Sequence, residues 1–188
     1  MPSNRVKYVI GIDAALRNVG YVVLDNVINV VASGNITTQA GWSEHGSIDH
    51  IVDTLFEVLE RFLTPELIGS GSVAVFFEDI NFSRAGDKTH ARAKAVGVVQ
   101  WVMRQMGMRL IYGVNNAAAN SFLDGRFGLK PARRNSKAQK QHTMATLHRF
   151  MNFYTKNDNI ADAFVVGLYG LAFLVEKQRL TVTALVRT

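Results

Sequence analysis

The sequence predicts an α/β chain in which helices cover a mixed, five-stranded central sheet. Three observations predict it. β-rich runs follow one another over short loops between residues 8 and 36, the pattern of an antiparallel meander. The near-continuous apolar run Val73-Ala74-Val75-Phe76-Phe77-Glu78 reads as a strand buried in a parallel part of the sheet. Around these, apolar residues recur at steps of three and four, the helical period. Strands first, then helices alternating with strands, give an α/β or α+β order.

The elements follow in turn. Tyr8-Val9-Ile10-Gly11-Ile12-Asp13 is a first strand that ends in an acid. Asn18 and Gly20 punctuate the chain before Tyr21–Leu24, and a β-branched run from Ile28 to Ile36 makes a third strand. From Ser47 to Leu63 the spacing is helical, with Ser47 as a candidate cap and Pro65 just past the end. Asp49, Asp53, Glu57 and Glu60 fall on its other face, the signature of a solvated surface. A helix is expected from about Lys88 to Met106, stopped by Gly107. Arg109–Val114 is the fifth strand. Residues 115–135 read as a short helix and then a basic loop. Ser136–Tyr154 and Ile160–Lys177 are the last helices, and Thr181–Thr188 reads as a β-like tail without an assigned role. No linker or repeat divides the 188 residues, so a single domain is expected, with its core at about 7–175.

Composition narrows the function. Hydrophobic residues make up 48 % of the chain, enough for a sizeable core, which excludes a wholly disordered protein. There is no cysteine, so disulfides, thiolate metal sites and thiol nucleophiles are excluded. The formal charge of +6 favours an anionic partner, nucleic acid first. The start of the chain lacks the apolar segment of a secretory signal. The most apolar stretch, Ile160–Val175, is short for a bilayer and contains Asp162. A soluble, cytoplasmic protein with no membrane partner is the expectation.

Acidic residues carry the chemistry. Asp13 and Glu78 each close an apolar strand, where a carboxylate is costly unless paired, solvated or bound to a cation. Asp158 and Asp162 are four residues apart at the start of the last helix, one turn apart on one face. Asp158 as a helix cap and Asp13 as an ordinary polar strand end are the alternatives. If the two strands are neighbours and the last helix packs beside them, the four carboxylates converge and repel one another unless cations intervene. Oxygen-only ligands suit Mg²⁺, with Mn²⁺ as a substitute. Two such ions roughly 4 Å apart activate water and stabilise a leaving oxygen in phosphodiester hydrolysis.

At these residues the chain resembles the RuvC family of Holliday-junction resolvases, within the RNase H-like nucleases. Gly11-Ile12-Asp13-Ala14-Ala15-Leu16-Arg17-Asn18-Val19-Gly20-Tyr21 is similar to the family's opening strand and turn, although Ala14-Ala15 stand where Pro-Gly is common. Phe76–Phe82 resembles the second acidic strand, and Lys94–Gln100 the glycine-containing helix after it. Ser136-Lys137-Ala138-Gln139 resembles the basic helix start that carries an active-site lysine, and Asp158–Ala163 the closing acidic motif. The family's last two acids are often three apart. Here Asn159 holds that position and Asp158 precedes it, so either residue is a candidate for the third motif's ligand. The compact form looks like phage or viral members.

The resemblance implies an RNase H-like fold and a homodimeric crossover junction endodeoxyribonuclease. Such an enzyme binds four-way DNA junctions and nicks two strands symmetrically in recombination and repair or in viral genome processing. It implies Asp13, Glu78, Asp158 and Asp162 as ligands of two metal ions. Lys137 would sit near the scissile phosphate, with Lys140, one turn on, as the alternative. Two basic groups are candidates for DNA contact: Lys130, Arg133, Arg134, Lys137 and Lys140, and, beyond Glu78, Arg84, Lys88, Arg92 and their neighbours. Phe82 resembles an aromatic that wedges against an unstacked base, a core phenylalanine being the alternative. The helix at 88–106 carries more apolar surface than a core stripe needs. Either a dimer interface hides the surplus or Trp101 lies in the protomer's own core. Two other functions fit the same residues: a module that binds branched nucleic acid without cutting it, and a nuclease for flaps or RNA.

Overall fold

The computed structural model describes residues 6–79, 87–129 and 136–177, apart from the side chains of Asp87, Lys88 and Ser136. Five strands form one sheet: β1 (Tyr8–Ala14), β2 (Asn18–Asp25), β3 (Val30–Thr37), β4 (Val73–Glu78) and β5 (Leu110–Val114). Their order is β3-β2-β1-β4-β5. The meander β1-β2-β3 is antiparallel, and β4 and β5 run parallel to β1. The expected mixed sheet is therefore present. The third strand begins two residues later than its β-branched run. Ile28 has φ 72°, a left-handed turn conformation costly for a β-branched residue, and the Asp25 carboxylate holds the turn by accepting from the backbone N–H groups of Val27 and Asn29.

Among the described residues, six helices surround the sheet: α1 (Glu44–Glu60), α2 (Pro65–Gly69), α3 (Asp87–Gln105), α4 (Asn116–Arg126), α5 (Ser136–Met151) and α6 (Asp158–Glu176). Two of the expected caps are displaced. Ser43, not Ser47, caps α1, its hydroxyl accepting from the Gly46 N–H, while Ser47 is buried inside the helix. Asn157, not Asp158, caps α6, its side-chain oxygen accepting from the N–H groups of Asn159 and Ile160. Pro65 starts α2, where its missing N–H costs nothing.

Alternation along the strands sends side chains to two cores. Ile10, Ile12, Ala14, Val75 and Phe77 pack with Ile51, Leu55 and Leu59 of α1 and Val99, Val102 and Met103 of α3. Val9, Ala74 and Phe76 pack on the opposite face with α6, α4 and Leu147 of α5. By this parity Asp13 and Glu78 belong to the α6 side.

Glycines let α6 lie very close to the sheet. A Cβ on Gly11 would stand 2.1 Å from the Ala163 carbonyl oxygen and 2.5 Å from the Gly167 nitrogen. A Cβ on Gly20 would stand 2.2 Å from the Asn159 carbonyl oxygen. The approach sets α6 across the carboxyl end of β1. By length and hydropathy α6 is apolar enough to cross a membrane, but ten of its residues are buried in this core.

Candidate active site

The register of the parallel pair places the site. Ile12 lies opposite Phe77, so Asp13 and Glu78 leave the sheet side by side. α6 contributes Asp162, one residue before the Ala163 carbonyl that touches Gly11. Asp13, Glu78 and Asp162 line one cleft with Arg17, Arg92, Asn116 and Lys140, a cavity of about 430 Å³. A polar annex of about 160 Å³ continues it between Asn116, Asn120, Gln139 and Thr143.

The acids are held in an unfavourable electrostatic state. Burial raises the Asp13 carboxyl to about 7, and the charges of Glu78 and Asp162 push it the same way. Burial likewise raises Asp162 to about 6, against the lowering influence of Lys140, with Glu78 and Asp158 adding to the rise. Two side-chain cations oppose this repulsion. The Arg92 guanidinium reaches across the cleft, with Nη2 3.4 Å from Asp13 Oδ1 and in an ion pair with Glu78. Lys140 pairs with Asp158, a contact that raises the ammonium's pKa above its ordinary value and lowers that of the Asp158 carboxyl.

The structure sorts the sequence candidates. Asp13, Glu78 and Asp162 converge. Asp158 sits at the rim, 38 % exposed and tied to Lys140. Asn159 turns toward the meander, its side-chain N–H donating to Asn35. Lys140 lines the cleft, whereas Lys137, one turn earlier, is exposed and is not a lining residue. Arg92, a candidate for DNA contact in the sequence, lies inside the cleft. Lys94 from that same group is tied to Glu44 of α1 at 2.7 Å. Phe82, Arg84, Lys130, Arg133, Arg134, the Lys88 side chain and the tail at 181–188 lie outside the described residues. Arg17, Asn116, Asn120 and Thr143 were not legible as site residues. Asn116 and Asn120 follow the Asn115 cap in an alanine-rich turn, and only their spacing of one helical turn hinted at a common face.

Among the described residues, no three His, Cys, Asp or Glu side chains are drawn together as a ready-made metal cage. The donor set nonetheless fits a hard cation. Asp13 and Glu78 already share one positive group between them, and the buried carboxylates present only oxygen.

Comparisons of the fold agree with this arrangement. Thermus thermophilus RuvC, solved in complex with a Holliday junction substrate, superposes with a TM-score of 0.68 at 18 % identity, over 93 % of this chain and 98 % of that one. This chain has the RuvC fold. Fowlpox virus resolvase, solved with substrate Holliday junction DNA, matches with a TM-score of 0.55 at 14 % identity, over 89 % of this chain and 99 % of the viral one. No family model matches the sequence, and no curated protein matches it.

Proposed function

We propose that this chain is a divalent-metal-dependent, structure-selective DNA endonuclease that resolves four-way junctions by paired nicks. The observation that supports it most is the cleft. Three carboxylates from two neighbouring strand ends and one helix surround it, on a RuvC fold, in a chain with a formal charge of +6. Asp13, Glu78 and Asp162 would hold two Mg²⁺ or Mn²⁺ ions, with Asp158 joining from the rim. Bound there, the metal supplies an activated water and stabilises the leaving oxygen.

The chain's own residues do the rest. Lys140, kept protonated by Asp158, faces the cleft and attracts the phosphodiester. Lys137 follows it on the exposed flank of α5. Asn116 and Asn120 offer amide donors to a strand lying in the annex. Phe82, Arg84, Lys88, Lys130, Arg133 and Arg134 extend the contact along the junction arms. Symmetric nicks need two active sites, so the working unit is a homodimer. Its interface is the α1–α3 face, where Trp101 is 51 % exposed and borders a groove with Ile48, Val52, Gly97 and Val98. The reaction belongs to DNA recombination and repair, in the cytoplasm or, for a viral member, in its host's.

The test compares a labelled four-way junction with linear duplex of matched sequence, in Mg²⁺ and in chelator, for wild type and Asp13→Asn. Paired Mg²⁺-dependent nicks in the junction alone are expected, lost in Asp13→Asn. Tight junction binding without cleavage would replace the nuclease by a binding module. Cleavage of flaps or RNA but not junctions would move the substrate class.

A further inference from the structure

Arg92 is the feature of the cleft that its proposed chemistry does not use. Its side chain is 35 % exposed, yet the guanidinium is drawn inward onto Asp13 and Glu78, whose side chains are 14 % and 8 % exposed. The contact is poorly satisfied for an arginine. Nη2 serves both carboxylates, and Nε is buried with no hydrogen-bond partner among the described residues. A guanidinium has five donors in a rigid fork and stays charged throughout the working pH range. A purely structural arginine would have its buried Nε paired, because an unpaired buried donor costs stability. The Asp13–Glu78 ion pairs therefore hold Arg92 in a pose that leaves part of its hydrogen-bonding capacity unused.

We propose that Arg92 is a built-in counter-cation that occupies the Asp13–Glu78 position in the metal-free protein and is displaced when a divalent ion binds there. This rests on the metal-dependent reading above and adds a regulatory element to it. The guanidinium and a divalent ion compete for the same carboxylate oxygens of Asp13 and Glu78, so metal affinity reports the competition. Arg92 stabilises the acids before metal arrives and sets a threshold concentration below which the cleft stays closed to the ion. Once displaced, the guanidinium remains on α3 at the cleft wall, free to pair its Nε with an incoming anionic strand.

The test is the binding of Mn²⁺ alone, followed by the loss of its free EPR signal in DNA-free protein. Arg92→Gln should bind Mn²⁺ about five- to tenfold more tightly than wild type, because one competing charge a few Å away is gone. Arg92→Lys, which keeps the charge, should stay near wild type. Unchanged or weaker binding by Arg92→Gln overturns the proposal. A second measurement uses the wild-type fold, in case the glutamine variant does not fold. The Arg92 Nε–H resonance, identified by its absence in Arg92→Lys, should shift and exchange faster with solvent as Mg²⁺ is added, and a resonance indifferent to saturating Mg²⁺ overturns the proposal. If Mn²⁺ binds, needs Asp13 and ignores Arg92→Gln, only the counter-cation role fails. If Mn²⁺ binds neither wild type nor any variant, the metal reading fails with it.

Discussion

Asp13 shows what a candidate site residue costs the fold. Its carboxyl is raised to about 7 by burial and by Glu78 and Asp162. An acid whose folded pKa is raised contributes stability that is complete below its unfolded pKa and is lost as pH rises through the folded value. In chelator, wild type should therefore lose stability as pH rises from about 4 to above 7. At about 1.4 kcal/mol per pKa unit, that loss is on the order of 4 kcal/mol. Asp13→Asn should flatten the profile and raise Tm at pH 8 in chelator, while abolishing cleavage. Melting curves across pH for both proteins decide it, and an equal slope in both would remove Asp13 from this role. Asp13, Glu78 and Asp162 were legible because an acid closing an apolar strand or entering an apolar helix is expensive and needs a reason. Arg92 was legible as a basic candidate for DNA contact but not as the partner of Asp13 and Glu78. A basic residue among Lys88, His90 and Lys94 looks like solvated surface until the fold shows where the first turns of α3 meet the strand ends.

At the scale of elements, the site depends on how closely α6 lies on β1. Gly11→Ala would put a methyl 2.1 Å from the Ala163 carbonyl, against backbone that cannot swing away. The helix must lift or the strand must bend, so a loss of about 3 kcal/mol or more is expected in denaturant unfolding. Any folded fraction should cut junctions poorly, because Asp162 moves with α6 relative to Asp13. Full stability with full activity would mean that the close approach is not what sets the site. The strands and most helices could be read from apolar period and breakers. Helix starts were harder, since Ser43 and Ser47, or Asn157 and Asp158, are equally good caps on paper. Burial decided between the serines, because Ser47 faces the core of α1. At α6, Asn157 accepts the two leading N–H groups, which leaves Asp158 free to meet Lys140 at the rim.

Over the whole chain, basic charge is concentrated in one stretch of the sequence. Between Asp124 and Asp158 the sequence has eight Lys or Arg and no Asp or Glu, so this segment alone exceeds the chain's net charge of +6. Phosphate contacts of that kind release counterions, so Arg133→Ala with Arg134→Ala should lower the magnitude of the log Kd against log salt slope by about 1–2. Junction titrations at several salt concentrations measure it, and an unchanged slope removes these residues from the contact. The apolar surplus lies elsewhere, on α1 and α3. There Trp101 meets Phe56 edge-on at 6.4 Å and stays half exposed, which answers the question its sequence left open: it is not a core tryptophan. A large exposed aromatic beside a groove of Ile48, Val52 and Val98, edged by Glu44, Asp49 and Lys94, marks a candidate interaction surface. Trp101→Lys places a charge at its centre and should shift the protein to monomer by analytical ultracentrifugation, with little change in Tm because the side chain is not part of the core. The same variant separates binding two strands from cutting them together. With the cleft intact but its twin removed, a junction that supports paired nicks in the wild type should receive single, unpaired ones. On a supercoiled cruciform plasmid that appears as nicked circle in place of linear product. Linear product from a monomeric Trp101→Lys would show that one protomer cuts both strands in succession, and that the α1–α3 face has another partner.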